Sequence, residues 1–562
     1  MRPQKFDLWL KSTAVSNELK SQMREMSEED IIDSFSKDIE FGTAGLRGIM
    51  GPGTNRMNII TIRKASFAFG SYLLDLCEHT KRRGIVIAYD NRNKSNDFGL
   101  EAAKVFTSLG IKTYMFDKLT PTPQLSYTVR KLNAIGGVVI TASHNPKQYN
   151  GYKVYDNEGC QLVPQKIEKL YTYFKAIDNE LNIFSDDSKL GELLNILPDV
   201  VSDCYYEDVL KIRLNKGLDT SKLRIVYTPE HGTGLNGVKF ILKKAGYDLH
   251  VVKNQANPDP NFTNTLSPNP EDHKAYEGAI ELAKKIKADI ILATDPDADR
   301  LGVVVNKEND SVYLTGNQVG ALLIDYIIKT KKHYNDFNDK YVLYNTIVTG
   351  GLGAKIASLN GVRVFSTLTG FKFIGDQIRK LVKEDKEKFL FGYEESYGFL
   401  LNSMVRDKDA LQACLIISEM ACYYKNQNLT LDEVLDNLYK EHGYYLESID
   451  SLTYEGLEGS KKITSLMEKL RSNKLSTLGG KKVIAIEDYS IGKKIYADGS
   501  EELLQLPESN VLRYILQGDS FVAIRPSGTE PKCKFYYNLV EKDSTSANAL
   551  LESIKKQIKD II

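Results

Sequence analysis

Three aspartates alternate along one short segment of the chain. Asp295, Asp297 and Asp299 lie in the sequence TDPDADR, directly after the apolar run DIILA, which is typical of a strand. In open α/β sheets, ligands bind beyond the carboxyl ends of the strands. Three carboxylates held together repel one another unless a cation joins them, and hard oxygen ligands suit Mg²⁺. The segment therefore predicts a magnesium site at the end of this strand.

Two other uses of such an acidic segment fit the residues less well. A calcium-binding EF-hand loop requires Gly at its sixth position and Glu at its twelfth, where this chain has Arg300 and Asn306. A phosphatase that forms an aspartyl phosphate would use the first Asp of a similar DxD as its nucleophile. Such enzymes usually carry a small hydroxyl or apolar residue where this chain has Asp299. The third acid favours metal binding over nucleophilic attack.

A serine stands at the end of another apolar run. The sequence TASHNPKQYNGYKVY, residues 141–155, follows GGVVI and is interpreted as a loop. Ser143 can present its hydroxyl there, with His144, Lys147 and Lys153 supplying positive charge or proton transfer. A serine that carries a phosphoryl group requires such neutralising neighbours. A plain turn is the alternative, and the absence of a GxSxG pattern disfavours an α/β-hydrolase.

Acidic and hydroxyl side chains cluster again at residues 391–399, in the sequence FGYEESYGF. Glu394, Glu395 and Ser396 offer hydrogen-bond acceptors that suit sugar hydroxyls. A solvated acidic turn is the alternative interpretation.

A possible anion site lies near the C-terminus, in RPSGTEPK at residues 525–532. Arg525, Ser527, Gly528 and Thr529 combine a guanidinium, two hydroxyls and accessible backbone N–H groups, which together can hold a phosphate dianion. An ordinary turn is again the alternative.

The elements that would position these loops alternate between strand and helix. Short apolar runs follow one another with helical segments between them, a pattern typical of a parallel, doubly wound sheet. The pattern recurs, and it changes near residue 445. We therefore predict an α/β protein with three similar mixed α/β domains, at residues 1–205, 206–315 and 316–445. A smaller α+β domain follows at residues 446–562.

The composition excludes several classes of protein. Lys and Arg together number 74, and so do Asp and Glu, so a general nucleic-acid binder or a polybasic membrane-surface protein is disfavoured. Six dispersed cysteines indicate free thiols. The sequence shows no signal-peptide pattern and no apolar run of membrane-spanning length, so we expect a cytoplasmic protein.

Taken together, the loops resemble a known family. From GTAGLRG at Gly42 to RPSGTEP near the C-terminus, they follow the order found in the α-D-phosphohexomutase superfamily, the phosphoglucomutases and phosphomannomutases. The sequence of residues 141–155 is similar to that of the longer branch of the family, which includes phosphoglucomutases and phosphopentomutases. The resemblance implies a four-domain enzyme whose central cleft takes one loop from each domain.

The resemblance also implies a role for individual residues. Ser143 matches the phosphoryl-carrying serine and contributes one oxygen to a single Mg²⁺, with Asp295, Asp297 and Asp299 as the other ligands. The matched basic cleft residues are Arg47, Lys153 and Lys372, and Lys153 lies where a candidate general base sits. Proton transfer is expected from Lys153, His144 or Lys372. The matched substrate contacts are Arg300, Glu394, Ser396, Arg525, Ser527, Gly528 and Thr529. One position departs from the pattern, because some members carry His where this chain has Gly398.

The implied reaction interconverts glucose 1-phosphate and glucose 6-phosphate, with glucose 1,6-bisphosphate as intermediate and activator. Mannose or pentose phosphates remain alternative substrates of the same mechanism. A bisphosphate synthase, a magnesium-dependent sugar phosphatase and a sugar-phosphate-binding regulator are less favoured. The expected partner is a small phosphosugar, with no nucleic acid and no membrane, and the protein is expected to be a monomer or a weak homodimer.

Overall fold

The computed structural model describes residues 3–42, 45–183, 185, 187–308, 310–338, 340–454, 456–473, 475–527 and 532–561. The chain forms two compact units. The first unit combines Met1–Gly316 with Gly370–Asn428, and the second combines Asn317–Thr369 with Leu429–Ile562. The predicted segment 316–445 therefore contributes to both units, and the predicted four-domain division stays a prediction.

Three short helices open the first unit. They are α1 (Gln4–Lys11), α2 (Asn17–Arg24) and α3 (Glu28–Phe35). Ser16 and Ser27 cap α2 and α3 by accepting a hydrogen bond from a backbone N–H of the first turn. Trp9 anchors the segment, because its buried indole donates to Glu180 Oε1 at 2.9 Å.

A six-stranded sheet with flanking helices follows in the same unit. Its elements are β1 (Leu46–Ile49), α4 (Ile59–Leu76), α5 (Thr80–Arg83), β2 (Ile85–Tyr89), α6 (Ser95–Ser108), β3 (Thr113–Phe116), α7 (Thr122–Lys131), β4 (Gly136–Ile140), β5 (Tyr149–Asp156), α8 (Pro164–Lys175), α9 (Leu190–Leu193), β6 (Leu194–Leu197) and α10 (Asp199–Leu210). The strand order is β1-β5-β4-β2-β3-β6. Four strands are parallel, and β5 runs antiparallel between β4 and β1.

Strand β5 corrects one prediction. The second half of the segment interpreted as a loop, from Tyr149 onward, is a strand that is buried along almost its whole length. Its polar residues concealed it, because Asn150, Lys153 and Asp156 interrupt the apolar pattern that a buried strand usually shows.

A second sheet of the first unit has five strands in the order β11-β10-β9-β7-β8. Its elements are β7 (Arg224–Thr228), α11 (Leu235–Lys244), β8 (Asp248–Val251), α12 (Lys253–Ala256), α13 (Glu277–Ile286), β9 (Ile290–Thr294), β10 (Leu301–Asn306) and β11 (Ser311–Leu314). Strands β7, β8 and β9 are parallel, whereas β10 and β11 are antiparallel additions at one edge. Short 3₁₀ helices lie at Glu180–Asn182, Thr220–Lys222 and His273–Tyr276.

The next region supplies elements to both units. They are α14 (Gly316–His333), β12 (Tyr341–Thr346), α15 (Gly351–Leu359), β13 (Arg363–Thr367), α16 (Phe371–Glu384), β14 (Lys388–Glu394), β15 (Gly398–Leu400), α17 (Ala410–Lys425) and α18 (Leu431–His442). Strands β12 and β13 form a parallel pair in the second unit, and β14 and β15 form a hairpin in the first. Helix α17 is buried along nearly its whole length.

The C-terminal region is rich in strands, which confirms the predicted α+β character. Its elements are β16 (Tyr444–Thr453), α19 (Gly456–Ser472), β17 (Thr477–Leu478), β18 (Lys481–Asp488), β19 (Lys493–Tyr496), β20 (Glu501–Leu503), β21 (Leu512–Leu516), β22 (Phe521–Pro526), β23 (Lys532–Glu541) and α20 (Ser544–Ile561). The strands pair antiparallel in the order β16-β23-β22-β21-β18-β19-β20, with β17 beside β18. One face of the sheet forms a core with α19 and α20.

Across the described ranges, no helix combines the length and the apolar character that crossing a bilayer requires.

Candidate active site

Ser143 lies near the start of the serine loop, residues 141–148, which directly follows β4. Its backbone is left-handed, with φ of 51°, and its N–H donates to Thr141 Oγ1 at 2.8 Å. This conformation directs the hydroxyl toward the second sheet of the unit. Ser143 Oγ donates to Asp295 Oδ2 at 2.6 Å and lies 3.1 Å from His144 Nδ1. The predicted serine and the predicted acidic segment therefore meet.

The Asp loop, residues 295–300, connects β9 to the antiparallel β10. The loop turns tightly around one carboxylate, because Asp295 Oδ1 accepts from the backbone N–H groups of Asp299 at 3.1 Å and Arg300 at 3.0 Å. One oxygen from each of Asp295, Asp297 and Asp299 lies within 4.8 Å of the others, and all three residues are buried.

These carboxylates fit a divalent cation. Among the described residues, Asp297 Oδ1 and Asp299 Oδ1 are buried without a hydrogen-bond partner. Burial and the two neighbouring carboxylates raise the pKa of Asp295 well above its ordinary value. A hard cation would satisfy the unpaired oxygens and remove the repulsion between the acids.

Two ammonium groups approach the same acids. Lys153 on β5 donates to Asp297 Oδ2 at 2.7 Å and to Asp299 Oδ2 at 3.2 Å. Lys408 Nζ lies 3.1 Å from Asp299 Oδ2. Although burial opposes the charge of each lysine, the acids raise the pKa of both. Despite its own burial, Asp299 has a lowered pKa because Lys408 and Lys153 stabilise its charge. Both lysines are therefore held in the protonated form.

Sequence reasoning did not find Lys408, whose only signal is the charged run RDKDA at residues 406–410. The structure also explains the departure at Gly398. A Cβ at that position would overlap Cδ of Lys408. The missing side chain of Gly398 thus leaves the space that the stem of Lys408 occupies, so a lysine from a different segment reaches the Asp loop.

Two arginines, the buried Arg92 and the half-buried Arg47, contact the serine loop. Arg92, which sequence reasoning also missed, donates to the carbonyl oxygens of Ser143 at 2.6 Å, Pro146 at 2.9 Å and Tyr149 at 3.0 Å, and to that of Asn145. Its signal is the DNR sequence that follows β2. Arg47, a predicted residue, donates to the side chain of Asn145 at 2.9 Å.

His144 is kept neutral by its surroundings. Burial is the largest cause of a pKa well below its ordinary value, and the nearby charges of Arg300 and Arg47 lower it further. Arg300 itself forms an ion pair with Glu271.

Two further segments support the Asp loop. Thr122, at the first position of α7, donates through Oγ1 to Asp297 Oδ2 at 2.8 Å and through its N–H to the Asp297 carbonyl at 2.9 Å. In the turn after β7, Gly232 packs against the backbone of Pro296 so closely that a Cβ would overlap it. The Thr233 N–H donates to the Pro296 carbonyl at 2.8 Å. His231, in the same turn, is buried with Nδ1 2.7 Å from the Asn257 carbonyl.

The hairpin that carries the predicted sugar contacts lies beside the Asp loop. The Leu301 N–H donates to the Tyr397 carbonyl at 3.0 Å, and Arg300 pairs with Gly398 as an isolated bridge. Glu394 ends β14 and accepts from the Gly370 N–H at 2.8 Å. Burial is the main cause that raises the pKa of Glu394 to about 7.

Ser396 occupies the turn of this hairpin and is half-buried. Lys372, in the first turn of α16, is 4% exposed and lies over the ring of Phe373. Both residues belong to the first unit.

The predicted phosphate loop belongs to the second unit. Arg525 is part of β22, opposite Lys534 of β23, and the Ser527 N–H donates to the Lys532 carbonyl at 2.7 Å. Gly528 and Thr529 lie outside the described residues.

Known proteins are similar to this chain in sequence. Three family models match the chain: α/β/α domain I of the phosphoglucomutase/phosphomannomutase family at residues 38–181, domain II at 203–308 and domain III at 315–442. A phosphoglucomutase of Staphylococcus haemolyticus is 39% identical over 541 residues, which cover 95% of this chain and 96% of that protein. A phosphoglucomutase of Staphylococcus aureus is 38% identical over 538 residues, which cover 95% of each chain.

Solved structures share the fold at lower identity. A phosphoglucomutase/phosphomannomutase family protein from Burkholderia thailandensis superimposes with a TM-score of 0.67 at 18% identity, covering 93% of this chain and 97% of that one. The phosphoglucomutase parafusin from Paramecium gives a TM-score of 0.66 at 19% identity, covering 93% and 96%. With family models over three successive segments and close relatives along nearly its whole length, the chain belongs to the phosphoglucomutase/phosphomannomutase family.

Proposed function

We propose that this protein is a phosphoglucomutase, which interconverts glucose 1-phosphate and glucose 6-phosphate with a phosphoryl group carried on Ser143. The observation that carries the proposal is the 2.6 Å contact between Ser143 Oγ and Asp295 Oδ2, at the edge of three clustered carboxylates. Relatives about 39% identical over most of their length are phosphoglucomutases, which supports glucose as the sugar.

The proposed reaction has two transfers on the same serine. A free hydroxyl of the sugar monophosphate attacks the phosphorus of phospho-Ser143, an O–P bond forms on the sugar, and the Ser143 Oγ–P bond breaks. The hydroxyl proton passes to a base, and glucose 1,6-bisphosphate results. After the bisphosphate turns over, Ser143 Oγ attacks the phosphorus of the other phosphate and the sugar O–P bond breaks. The departing sugar oxygen takes back the proton, and the isomeric monophosphate is released. The enzyme regains its phosphoryl group, so no free phosphate accumulates.

The charges around Ser143 support a division of tasks. Lys153 and Lys408 are held protonated by Asp297 and Asp299, so they can stabilise negative charge on the phosphoryl group in transit. His144 is held neutral with Nδ1 3.1 Å from Ser143 Oγ, so its imidazole can accept a proton.

Asp295, Asp297, Asp299 and one oxygen on Ser143 would hold the cation, which we propose to be a single Mg²⁺. When bound, it would neutralise charge on the phosphoryl group during transfer. The chain's own contribution is to keep the acids together in a buried loop and to place the serine beside them.

Substrate recognition is assigned to the other predicted loops. Glu394 and Ser396 would accept hydrogen bonds from sugar hydroxyls, with Arg47, Arg300 and Lys372 as charged neighbours. Arg525, Ser527, Gly528 and Thr529 would bind the phosphate that is not being transferred. We also propose that the enzyme acts in the cytoplasm on free phosphosugars. Its balanced 74 basic and 74 acidic residues argue against general nucleic-acid binding.

A turnover panel tests this proposal. Purified protein with Mg²⁺ and a trace of glucose 1,6-bisphosphate is given glucose 1-phosphate, mannose 1-phosphate or ribose 1-phosphate, and free phosphate is followed in parallel. We expect kcat/KM for glucose 1-phosphate to exceed the others by about tenfold, which corresponds to about 1.4 kcal/mol. A preference for ribose 1-phosphate would make the protein a phosphopentomutase, and accumulation of free phosphate alone would identify a phosphatase.

The role of Ser143 has its own test. Ser143→Ala removes the only atom proposed to carry the phosphoryl group, so mutase turnover should disappear. Asp295 and its loop should stay folded, because the backbone bonds of the loop do not involve the Ser143 hydroxyl. Intact protein mass spectrometry should show a phosphorylated form of the wild type that the variant lacks. Substantial turnover by the variant would reject this serine.

A further inference from the structure

Strand β5 directs two functional side chains to the same side. Lys153 and Tyr155 are two residues apart, and alternate residues of a strand share a face. Lys153 reaches Asp297 and Asp299 directly. Tyr155, which is fully buried, donates its hydroxyl to Asp407 Oδ2 at 2.8 Å. The tyrosine thus contacts the residue immediately before Lys408.

Asp407 uses its two oxygens for different groups. While Oδ2 accepts from Tyr155, Oδ1 accepts from the Lys408 N–H at 2.8 Å and lies 3.3 Å from Lys408 Nζ. Asp407 is buried, 2% exposed, so this carboxylate has little freedom to turn. Its orientation therefore determines where a negative oxygen is available to Lys408.

Lys408 has a long stem whose end must be held in place. Its Nζ lies between Asp407 Oδ1 and Asp299 Oδ2, the latter 3.1 Å away, and 5.6 Å from the centre of the Phe371 ring. A lysine side chain has many rotamers, so an ammonium group keeps a single position only where fixed partners surround it. The carboxylate of Asp407 is one such partner, and it is itself fixed by Tyr155.

We propose that Tyr155 and Asp407 are positioning residues: Tyr155 orients the Asp407 carboxylate, and Asp407 holds the Lys408 ammonium against Asp299. Strand β5 then places both ammonium groups of the site, Lys153 directly and Lys408 through Asp407. The consequence for catalysis rests on the proposed phosphoglucomutase function, whereas the consequence for the Lys408 side chain does not.

A second buried Tyr–Asp pair, Tyr205 and Asp409, provides a control. Tyr205 is also fully buried and donates its hydroxyl to Asp409 Oδ2 at 2.7 Å, in the same charged run. Asp409 caps α17 by accepting from the N–H groups of Leu411 and Gln412, both at 3.0 Å. Tyr205→Phe and Tyr155→Phe therefore each remove one hydrogen bond from a tyrosine hydroxyl to a buried aspartate. In Tyr205→Phe that aspartate caps a helix and does not pair with Lys408.

The kinetic test compares the two variants. We expect Tyr155→Phe to lower kcat for glucose 1-phosphate by about tenfold with KM changed less than about twofold, because a misplaced ammonium weakens the transition state more than substrate binding. Tyr205→Phe should keep kcat within about twofold of the wild type, although both variants should lower the thermal midpoint. Equal kcat values in the two variants would overturn the proposal.

A second measurement does not depend on turnover. Acylation of lysine amines by acetic anhydride, followed by peptide mass spectrometry, reports how accessible Lys408 is. Its rate should rise at least about threefold in Tyr155→Phe and stay unchanged in Tyr205→Phe. If the wild type turns over no phosphosugar, the proposed function fails and this measurement still decides the positioning role. An unchanged Lys408 rate in Tyr155→Phe would reject it.

Asp407→Asn, with Asp409→Asn as its match, gives a further comparison if Tyr155→Phe does not fold. Asp407→Asn keeps the size of the side chain and removes its charge. We expect faster acylation of Lys408 in Asp407→Asn only, and similar rates in the two asparagine variants would contradict the proposal.

Discussion

Ser143 combines an unusual backbone conformation with a strong hydrogen bond. A left-handed residue other than glycine costs about 1 kcal/mol or more, and it persists only where the surroundings impose it. Here Arg92 binds the carbonyl oxygens of the loop and Thr141 accepts the Ser143 N–H. These bonds hold the Ser143 hydroxyl against Asp295, the position that the proposed phosphoryl transfer requires.

Gly398 offers a residue-scale prediction. In Gly398→Ala, the new methyl group would overlap the stem of Lys408, which is flexible enough to move aside. We therefore expect a loss of kcat of about tenfold or more, with a loss of unfolding free energy of only about 1 kcal/mol. Steady-state kinetics and thermal denaturation measure the two effects.

Gly191→Ala is the matched control for that variant, because a Cβ at Gly191 meets open space. Its kinetics should equal those of the wild type. If Gly398→Ala retained full kcat, the packing of Lys408 against position 398 would be irrelevant to catalysis.

At the scale of elements, antiparallel strands added to parallel sheets bring the chemistry together. Strand β5 returns beside β4 and carries Lys153, and strand β10 returns beside β9 and closes the Asp loop. Each antiparallel strand therefore follows a loop that lies beyond the carboxyl end of the parallel strand before it. The turn after β7 packs against the Asp loop, because Gly232 lies against the backbone of Pro296 and the Thr233 N–H donates to the Pro296 carbonyl.

The same turn carries a buried acid, Glu230, whose pKa is raised by burial from 4.5 to about 8. Between these values the unfolded chain has lost the proton and the folded chain keeps it. The unfolded state therefore binds fewer protons, and the free energy of unfolding falls as pH rises through this window. The slope contributed by one group is at most about 1.4 kcal/mol per pH unit.

Glu230→Gln tests this effect, because glutamine cannot ionise and can still accept from Thr228. Thermal midpoints should be compared at pH 5.5 and pH 8. We expect the variant to gain stability relative to the wild type at the higher pH. If the thermal midpoints of the variant and the wild type changed equally between pH 5.5 and pH 8, Glu230 would be ionised in the folded protein at both pH values, against this prediction.

At the scale of the whole molecule, the chain divides into two units that are each assembled from separated segments. The first unit contains Ser143, the Asp loop and both lysines, while the second contains Arg525 and Ser527. The chain passes between the units after Gly316, Thr369 and Asn428. Neither unit is therefore a single continuous piece of sequence.

Divalent cations should stabilise the protein through the first unit. Adding Mg²⁺ at about 100 times its dissociation constant should contribute about 2.7 kcal/mol and raise the midpoint of the first unit's transition by several degrees, compared with EDTA. Differential scanning calorimetry measures this shift. KCl at equal ionic strength controls for screening of surface charges.

Asp297→Asn should remove most of this magnesium effect, because it replaces one charged ligand. Without Mg²⁺ the variant should be less stable than the wild type, because the buried Lys153 ammonium loses the Asp297 carboxylate that pairs with it at 2.7 Å. A midpoint that responds to Mg²⁺ equally in both proteins would place the cation elsewhere.

The local sequence determined where reactive groups stand along the chain. Apolar runs such as GGVVI and DIILA predict buried strands, and the structure confirms them as β4 and β9. Side chains just beyond such strands lie at a sheet edge, so Ser143 and the three aspartates were identifiable as candidate site residues, and the structure brings them together. The α/β character and the strand-rich C-terminal region also follow from local patterns, because hydrophobic periodicity reflects which face of each element is buried.

Only the tertiary structure decided which of these groups meet. Ser143 and Asp295 are 152 residues apart, and Lys408 comes from yet another segment. Their contacts depend on how two sheets and a hairpin pack, which no local pattern encodes. Strand β5 escaped prediction because its buried polar residues are paired by distant partners, Lys153 with Asp297 and Tyr155 with Asp407. Burial of such groups is favourable only once those partners are in place.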